Sequence, residues 1–292
     1  MDLRYGKYDW FSQVIIVILL CLVVILCLYP IVYVFSMSIS NPRRVAFETL
    51  WLFPKGFSLI AYRRIIDNPS IWRAYANTIF YTVVGTSLNV VLTTSLAYAL
   101  SRKDFAARNY IMAMVTFTML FSGGMIPLFV LITKLGIYNT RWAMILPPAV
   151  AVWNTIIART FFAGIPDSMG ESAKIDGAND LTILARIIIP ISTPIIAVLF
   201  IFYAVGHWNS YLNALLYLPD NKLHPLQLFL AKLLVNDEAL LEGGGEEALD
   251  LTYIQHQLKY VAIVVTILPI IAIYPVFQRF FVRGVMIGAI KG

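Results

Sequence analysis

The sequence predicts an all-α, polytopic membrane protein with six transmembrane helices, and three observations carry that reading. Of 292 residues, 60% are hydrophobic and 13% charged, against roughly 45–50% and 25% in soluble domains. The charges gather in short segments between long apolar runs instead of coating a surface. Six such runs, residues 11–41, 74–100, 109–133, 142–158, 187–219 and 260–278, are near or above the roughly 20 residues with which a helix crosses a hydrocarbon core. Residues 1–292 are therefore expected to form a single membrane domain, with an N-terminal span at about 11–40 and core spans over about 74–282.

The first run far exceeds the roughly 7–15 residues of a signal-peptide core, so it reads as a retained helix despite the small-residue pattern Ser36-Met37-Ser38. Trp10, Phe11, Tyr29 and Tyr33 near its ends suit interfacial anchoring. Cys21 and Cys27 both lie inside it, which argues against a disulfide framework. The fourth run is short, and the sequence predicts that it extends through Arg159 to Phe162, with the Arg159 head snorkelling to the interface. Between the last two runs, 220–259 is too long for a bare turn; 226–234 has helical character. Acidic residues follow at Asp237, Glu238 and Glu247 around the flexible stretch 242–246.

The formal charge of +6 does not point to nucleic acid, because no Lys/Arg run exceeds two residues and no basic stripe alternates with aromatics. The excess belongs to membrane flanks. Six spans put both termini on one side, but the positive-inside rule chooses that side weakly. Arg102, Lys103 and Arg108 fill one short loop and Arg279, Arg283 and Lys291 end the chain, while Arg43, Arg44, Lys55, Arg63, Arg64 and Arg73 oppose them.

Enzymatic readings find no support. His207, His224 and His256 form no H-E-x-x-H arrangement, and there is no G-x-S-x-G turn. A phosphate-binding G-x-x-x-x-G-K-[ST] loop is also missing, the sole Gly-Lys pair being Gly6-Lys7, so the chain cannot use ATP alone. No Asp or Glu lies inside the six runs, which leaves an ion-coupled secondary transporter little to build a proton relay from.

The most informative segment lies between the fourth and fifth runs. Pro166 and Asp167 open a helix, Ser168-x-x-Glu171 has capping-box spacing, Gly177 permits the turn that ends the helix, and Pro190 marks a second boundary. Glu171, taken alone, is equally a residue that caps its own helix. The string Glu171-Ser172-Ala173-Lys174-Ile175-Asp176-Gly177-Ala178, followed by Ile187-Ile188-Ile189-Pro190, resembles the EAA loop of ABC-importer permeases, with Ser172 for an alanine and Ile189 for a leucine. Asn77-Thr78, Ala97-Tyr98-Ala99-Leu100-Ser101-Arg102, the Gly124-Met125-Ile126-Pro127 break, Asn139-Thr140 and the end from Phe281 to Gly292 are similar to the carbohydrate branch, particularly to permeases for oligosaccharides.

That resemblance implies a type I importer permease fold and a coupling loop over 167–190, with Glu171, Ser172, Ala173, Asp176, Gly177, Ala178 and Pro190 facing an ATPase. It further implies two ATP-binding subunits that hold ATP and Mg, a second homologous permease and an extracytoplasmic solute-binding protein facing 220–259. This chain would bind no cofactor or metal. Both termini would be cytoplasmic in a bacterial cytoplasmic membrane. A permease for peptides or amino acids shares the loop and is the nearest alternative.

Polar side chains within spans are costly unless they face protein or water, which singles out Asn89, Thr93, Asn154, His207, Trp208 and Asn209 as candidates for a substrate pathway. Asn89 and Thr93, one turn apart, also suit interhelical hydrogen bonds. His207-Trp208-Asn209 sets hydrogen-bonding groups beside an aromatic ring, as a sugar requires, but the same residues suit packing and interfacial anchoring.

Overall fold

The computed structural model describes residues 7–47, 52–239 and 246–289. Among them there are helices and no strands. In chain order the helices are α1 (Lys7–Ser38), α2 (Pro42–Phe47), α3 (Ile60–Ile66), α4 (Pro69–Ser101), α5 (Arg108–Leu120), α6 (Met125–Lys134), α7 (Trp142–Ile145), α8 (Val152–Ala163), α9 (Ser168–Ile175) and α10 (Asp180–Ile183). A π-helical turn, Leu184–Ile188, leads into α11 (Ile189–Ile191) and α12 (Thr193–Trp208). The remainder comprises α13 (Leu212–Tyr217), a 3₁₀ turn at Asn221–Leu223, α14 (Leu226–Ala239) and α15 (Glu246–Ala289). The stretch 242–245 lies outside the described residues, as do 290–292 at the chain end.

Trp10–Ser38, Pro69–Ser101 and Thr252–Ile273 are long and apolar enough to cross a membrane singly. Two expected spans are bent pairs: α5 and α6 meet at 117°, and Asp180–Ile191 meets α12 at 87°. The first break falls at Phe121–Gly124, where Phe121 turns extended and Gly124 adopts φ +83°. The fourth expected span is interrupted at Pro147-Pro148, leaving α8 with 12 residues. At about 1.5 Å per residue, that helix is only about 18 Å long. Five spans are thus the most that length and composition support among the described residues.

Contacts divide the chain into two compact units, Met1–Asn68 with Lys232–Leu268, and Pro69–Ala231 with Pro269–Gly292. In the first, Gln257 donates from Nε2 to the Ser38 and Ser40 carbonyls at 2.8 and 2.7 Å, and Ser38 Oγ meets Tyr62 Oη at 2.8 Å. These buried bonds satisfy orphan carbonyls where α1 ends. In the second unit, α4 packs lengthwise against α8 and α12. Ala97 and Ala158 are fully buried there among Tyr98, Phe162, Ile188, Leu199 and Tyr203. Small residues bring the helix axes close, and in lipid that close packing supplies attraction that the hydrophobic effect does not.

At the opposite end of α4, Tyr81 joins Met144, Ile145, Ala214, Leu218 and Leu228 in a second buried cluster. With 33 residues and no proline beyond its first position, α4 is a continuous rod of about 50 Å. It touches both clusters and positions both candidate sites.

Candidate functional site

The loop between α8 and α10 is built around α9. Its start differs from the capping box expected from spacing. The N-cap residue is Asp167, already helical in backbone, with no side-chain cap bond; Ser168 is the first helical residue and its carbonyl accepts from Ser172 Oγ at 2.9 Å. The Asp167 carboxylate instead accepts from Lys103 Nζ at 2.8 Å. The end forms as the glycine predicts: Gly177 has φ +83°, its N–H donates to the Lys174 carbonyl, and Ala178 N–H reaches back to Ala173 at 2.9 Å. This is a Schellman closure, which requires the left-handed conformation glycine adopts without penalty. Asn179 then caps α10 by accepting from Thr182 N–H at 2.8 Å.

Pro190 stands in the first turn of α11, at the boundary where the π turn ends, but the chain does not change direction there. It lacks the N–H that an α-ladder would donate to Arg186, and the ladder widens into the π turn Leu184–Ile188 just before it. The chain bends two residues later, at Ser192, whose N–H is shared between Ile188 and Ile189 carbonyls at 3.0 and 3.1 Å.

Three consecutive residues of the α4–α5 turn hold the rear of α9. Arg102 lies over the Tyr98 ring at 5.0 Å and under buried Gly170, where a Cβ would stand 3.4 Å from Nη1. Lys103 pairs with Asp167. Asp104 pairs with Lys174 at 3.3 Å, and Lys174 also reaches Asp180 at 3.3 Å. Arg159, expected to snorkel, turns to the last turn of α4 and donates to the Leu100 carbonyl at 3.2 Å. The outward side of α9 is open: the Glu171 side chain is exposed and has no hydrogen-bond or ion-pair partner among the described residues, and Ile175 is 87% exposed.

The Lys103 ammonium beside Asp167 holds that carboxyl below its ordinary range, while the hydrogen bonds that Lys174 donates to Asp180 and Asp104 raise its ammonium. A depressed carboxyl pKa contributes stability above the ordinary carboxylate range and loses it as pH falls through the depressed value. A raised ammonium pKa contributes below the ordinary lysine range and loses it as pH rises through the raised value. Protease accessibility of 167–180 is therefore expected to stay flat between about pH 5 and 9 and to rise in acid below about pH 4, the region of the Asp167 titration. A rise centred near pH 6–7 would show that these pairs do not hold the segment.

The second candidate site is an open cavity of about 510 Å³ lined by Asn89, Met144, Pro148, Val150, Ala151, Trp153, Asn154, Phe202, Tyr203, Gly206, His207, Ser210 and Asn213. Two side-chain relays position its irregular wall, residues 146–151. His207 Nε2 lies 3.3 Å from Asn89 Oδ1, and Asn89 Nδ2 donates to the Pro148 carbonyl at 2.6 Å. Tyr203 Oη accepts from the Ala151 N–H at 3.0 Å and shares a 2.5 Å bond with Thr93 Oγ1. With Asn89 accepting, His207 carries its proton on Nε2. Non-helical backbone at membrane depth needs protein partners or a water-filled cavity, and this segment has side-chain bonds with an open cavity beside it. Glycine at 85 leaves room for the relay, since a Cβ there would meet His207 Nε2 at 2.4 Å.

Of the six polar residues singled out from sequence, Asn89, Asn154 and His207 line this cavity. Thr93 is buried behind it on Tyr203. Trp208 instead lines a separate apolar groove with Val83, Pro269 and Ile273, and exposed Asn209 bonds the Val205 carbonyl and Gln227. Sequence reasoning missed Trp153, Tyr203, Ser210 and Asn213; the adjacency of Trp153 to Asn154 was the available signal. Among the described residues no three His, Cys, Asp or Glu side chains gather as metal ligands would.

Comparison with known proteins gives one consistent result. The chain is 39% identical over 268 residues to the polygalacturonan/rhamnogalacturonan transport system permease protein YtcP of Bacillus subtilis (strain 168), covering 92% of this chain and 94% of that one. It is 30% identical over 227 residues to the arabinooligosaccharides transport system permease protein AraQ of Halalkalibacterium halodurans, covering 76% and 75%. A crystal structure of a bacterial ABC transporter involved in the import of the acidic polysaccharide alginate contains a chain that superposes with TM-score 0.85 at 34% identity, covering 96% of this chain and 100% of that one. Residues 89–287, which include α9, the π turn and most of the cavity wall, match a family of transport components, and the chain accordingly belongs to the binding-protein-dependent transport system inner membrane components.

Proposed function

We propose that this chain is one of two permease subunits of an ABC importer for oligosaccharides. As a member of its family it is membrane-embedded and works in a transport complex with other subunits. In the proposed complex, two ATPase subunits hold ATP and Mg, a second homologous permease lies alongside, and a solute-binding protein delivers substrate from outside. With the interrupted fourth run, α7 and α8 together, counted as a sixth crossing, both termini and α9 face the cytoplasm, and the 220–259 connection faces the binding protein.

The observation that carries this reading is the asymmetry of α9: its rear is fixed to the α4–α5 turn, while the Glu171 and Ile175 side chains are exposed and Glu171 has no side-chain partner among the described residues. A short helix held in this way can seat in a neighbour's groove and pass rigid-body movement into α4 and α12. Alternating access then follows from ATP-driven rocking of these helices. The cavity offers neutral hydrogen-bonding groups beside Trp153 and Tyr203, a combination suited to the hydroxyl edges and C–H faces of sugars. The names of the relatives, which concern polygalacturonan/rhamnogalacturonan, arabinooligosaccharides and the acidic polysaccharide alginate, support the same class.

Isolation from the native membrane in mild detergent tests the reading. Mass spectrometry is expected to find an ATPase and a second permease in stoichiometric amounts, with ATPase activity stimulated by the sugar-loaded binding protein. A lone chain that transports sugar after reconstitution would overturn it.

A further inference from the structure

The outer end of α4 carries four bonds that neither the coupling loop nor the cavity uses. Asn77, buried, donates from Nδ2 to the carbonyls of Lys222 and His224 at 2.8 and 3.1 Å. One turn further, Tyr81 Oη donates to the Leu223 carbonyl at 2.8 Å. Thr78, also buried, accepts from the Leu226 N–H at 2.7 Å. Leu226 is the first residue of α14, so Thr78 supplies from another helix the cap that α14 would otherwise need from its own N-cap residue.

These side chains thus hold main-chain groups of residues 222, 223, 224 and 226, at the root of the connection that leaves the fifth expected span. His224 closes the same root on itself, its Nε2 lying 3.0 Å from the Leu218 carbonyl, and Asn139 Oδ1 accepts from the Asp220 N–H at 3.2 Å. The other end of the same unbroken helix leads into Arg102, Lys103 and Asp104, which hold α9. Between these ends α4 contains no proline and no break in its helical backbone at which a movement would be absorbed.

We propose that Asn77 and Thr78 are positioning residues that fasten the root of the 220–259 connection to α4, so that α4 links the binding-protein side of the transporter to the ATPase side. This rests on the importer reading above. Neither residue touches substrate. They fix the loop root in register with α4, so a loop displaced by the arriving binding protein displaces the rod, and the rod displaces α9. Loss of the fastening leaves each end intact and uncouples them, a loss of coupling free energy between two sites.

The test compares Thr78→Val, which keeps shape and removes the acceptor, with Thr78→Ser, which keeps the acceptor, in the complete complex reconstituted in nanodiscs. The readout is the ratio of ATPase activity with and without sugar-loaded binding protein. Thr78→Val is expected to lower that ratio at least about five-fold, the lower end of ordinary site-to-site coupling, and Thr78→Ser to restore it. Hydrogen exchange supplies the second measurement: the Leu226 amide is expected to lose protection in Thr78→Val and keep it in Thr78→Ser. Wild-type stimulation retained in a Thr78→Val complex whose Leu226 amide has lost protection would overturn the proposal. Equal loss of the ratio in both variants would also overturn it, because the hydroxyl would then not be the link. A wild-type complex that shows no stimulation by any sugar-loaded binding protein would instead sink the importer reading on which the proposal stands.

Discussion

Replacing Glu171 with lysine is expected to cut sugar uptake at least about 30-fold while leaving the chain folded and membrane-inserted. The Glu171 side chain is exposed and has no partner among the described residues, so the substitution removes no bond seen there, and surface changes of this kind normally shift stability by less than about 0.5 kcal/mol. At the proposed ATPase groove it reverses a charge at the centre of a small contact. Truncation of a central interface residue costs about 2 kcal/mol or more, which is about 30-fold in affinity, and reversal adds repulsion. Uptake assays with a membrane-fraction immunoblot, alongside co-purification of the ATPase, check it. Normal uptake with a bound ATPase would show that Glu171 faces no partner and serves only its own helix.

The second large effect lies in the cavity wall. Asn89→Leu preserves volume but removes both the acceptor for His207 and the donor to Pro148. Each buried polar group left without a partner costs roughly 1–3 kcal/mol, so the variant is expected to lose about 2–6 kcal/mol and to unfold at a visibly lower temperature in detergent. Because Asn89 fixes the irregular segment 146–151, uptake is expected to fall in the fraction that stays folded. Asn89→Gln, which retains both functions at greater length, serves as the control for polarity against geometry. A Leu variant as thermostable as wild type would mean that water replaces both bonds.

These two sites differ in how far the sequence discloses them. The proposed coupling loop is legible because its chemistry is local: Gly177 sits where a left-handed turn must close α9, and the structure forms that turn. Its beginning misleads because Asp167 meets a tertiary competitor, Lys103, that no spacing rule contains. Asn89 and Thr93 are conspicuous as polar groups in an apolar run and do make the interhelical bonds that their one-turn spacing allows. Tyr203 escapes notice because one tyrosine among many aromatics in an apolar stretch carries no signal until its hydroxyl is seen between Thr93 and Ala151. Apolar length finds membrane segments, but it is blind to direction. The turns at Phe121–Gly124 and Ser192 and the interruption at Pro147-Pro148 divide runs whose hydropathy is continuous.

The grip of Asn77, Thr78 and Tyr81 on the 222–226 root is made entirely to main-chain groups. Every residue except proline presents the same carbonyl and N–H, so the grip does not read which side chains follow. Substitutions, insertions and even the wholesale exchange of the segment beyond Leu226 can therefore accumulate without loosening its attachment, as surface connections tolerate. In the proposed importer this joint would act as a fixed socket: differently shaped segments could be grafted beyond Leu226 while the bonds that fasten the root to α4 stay the same.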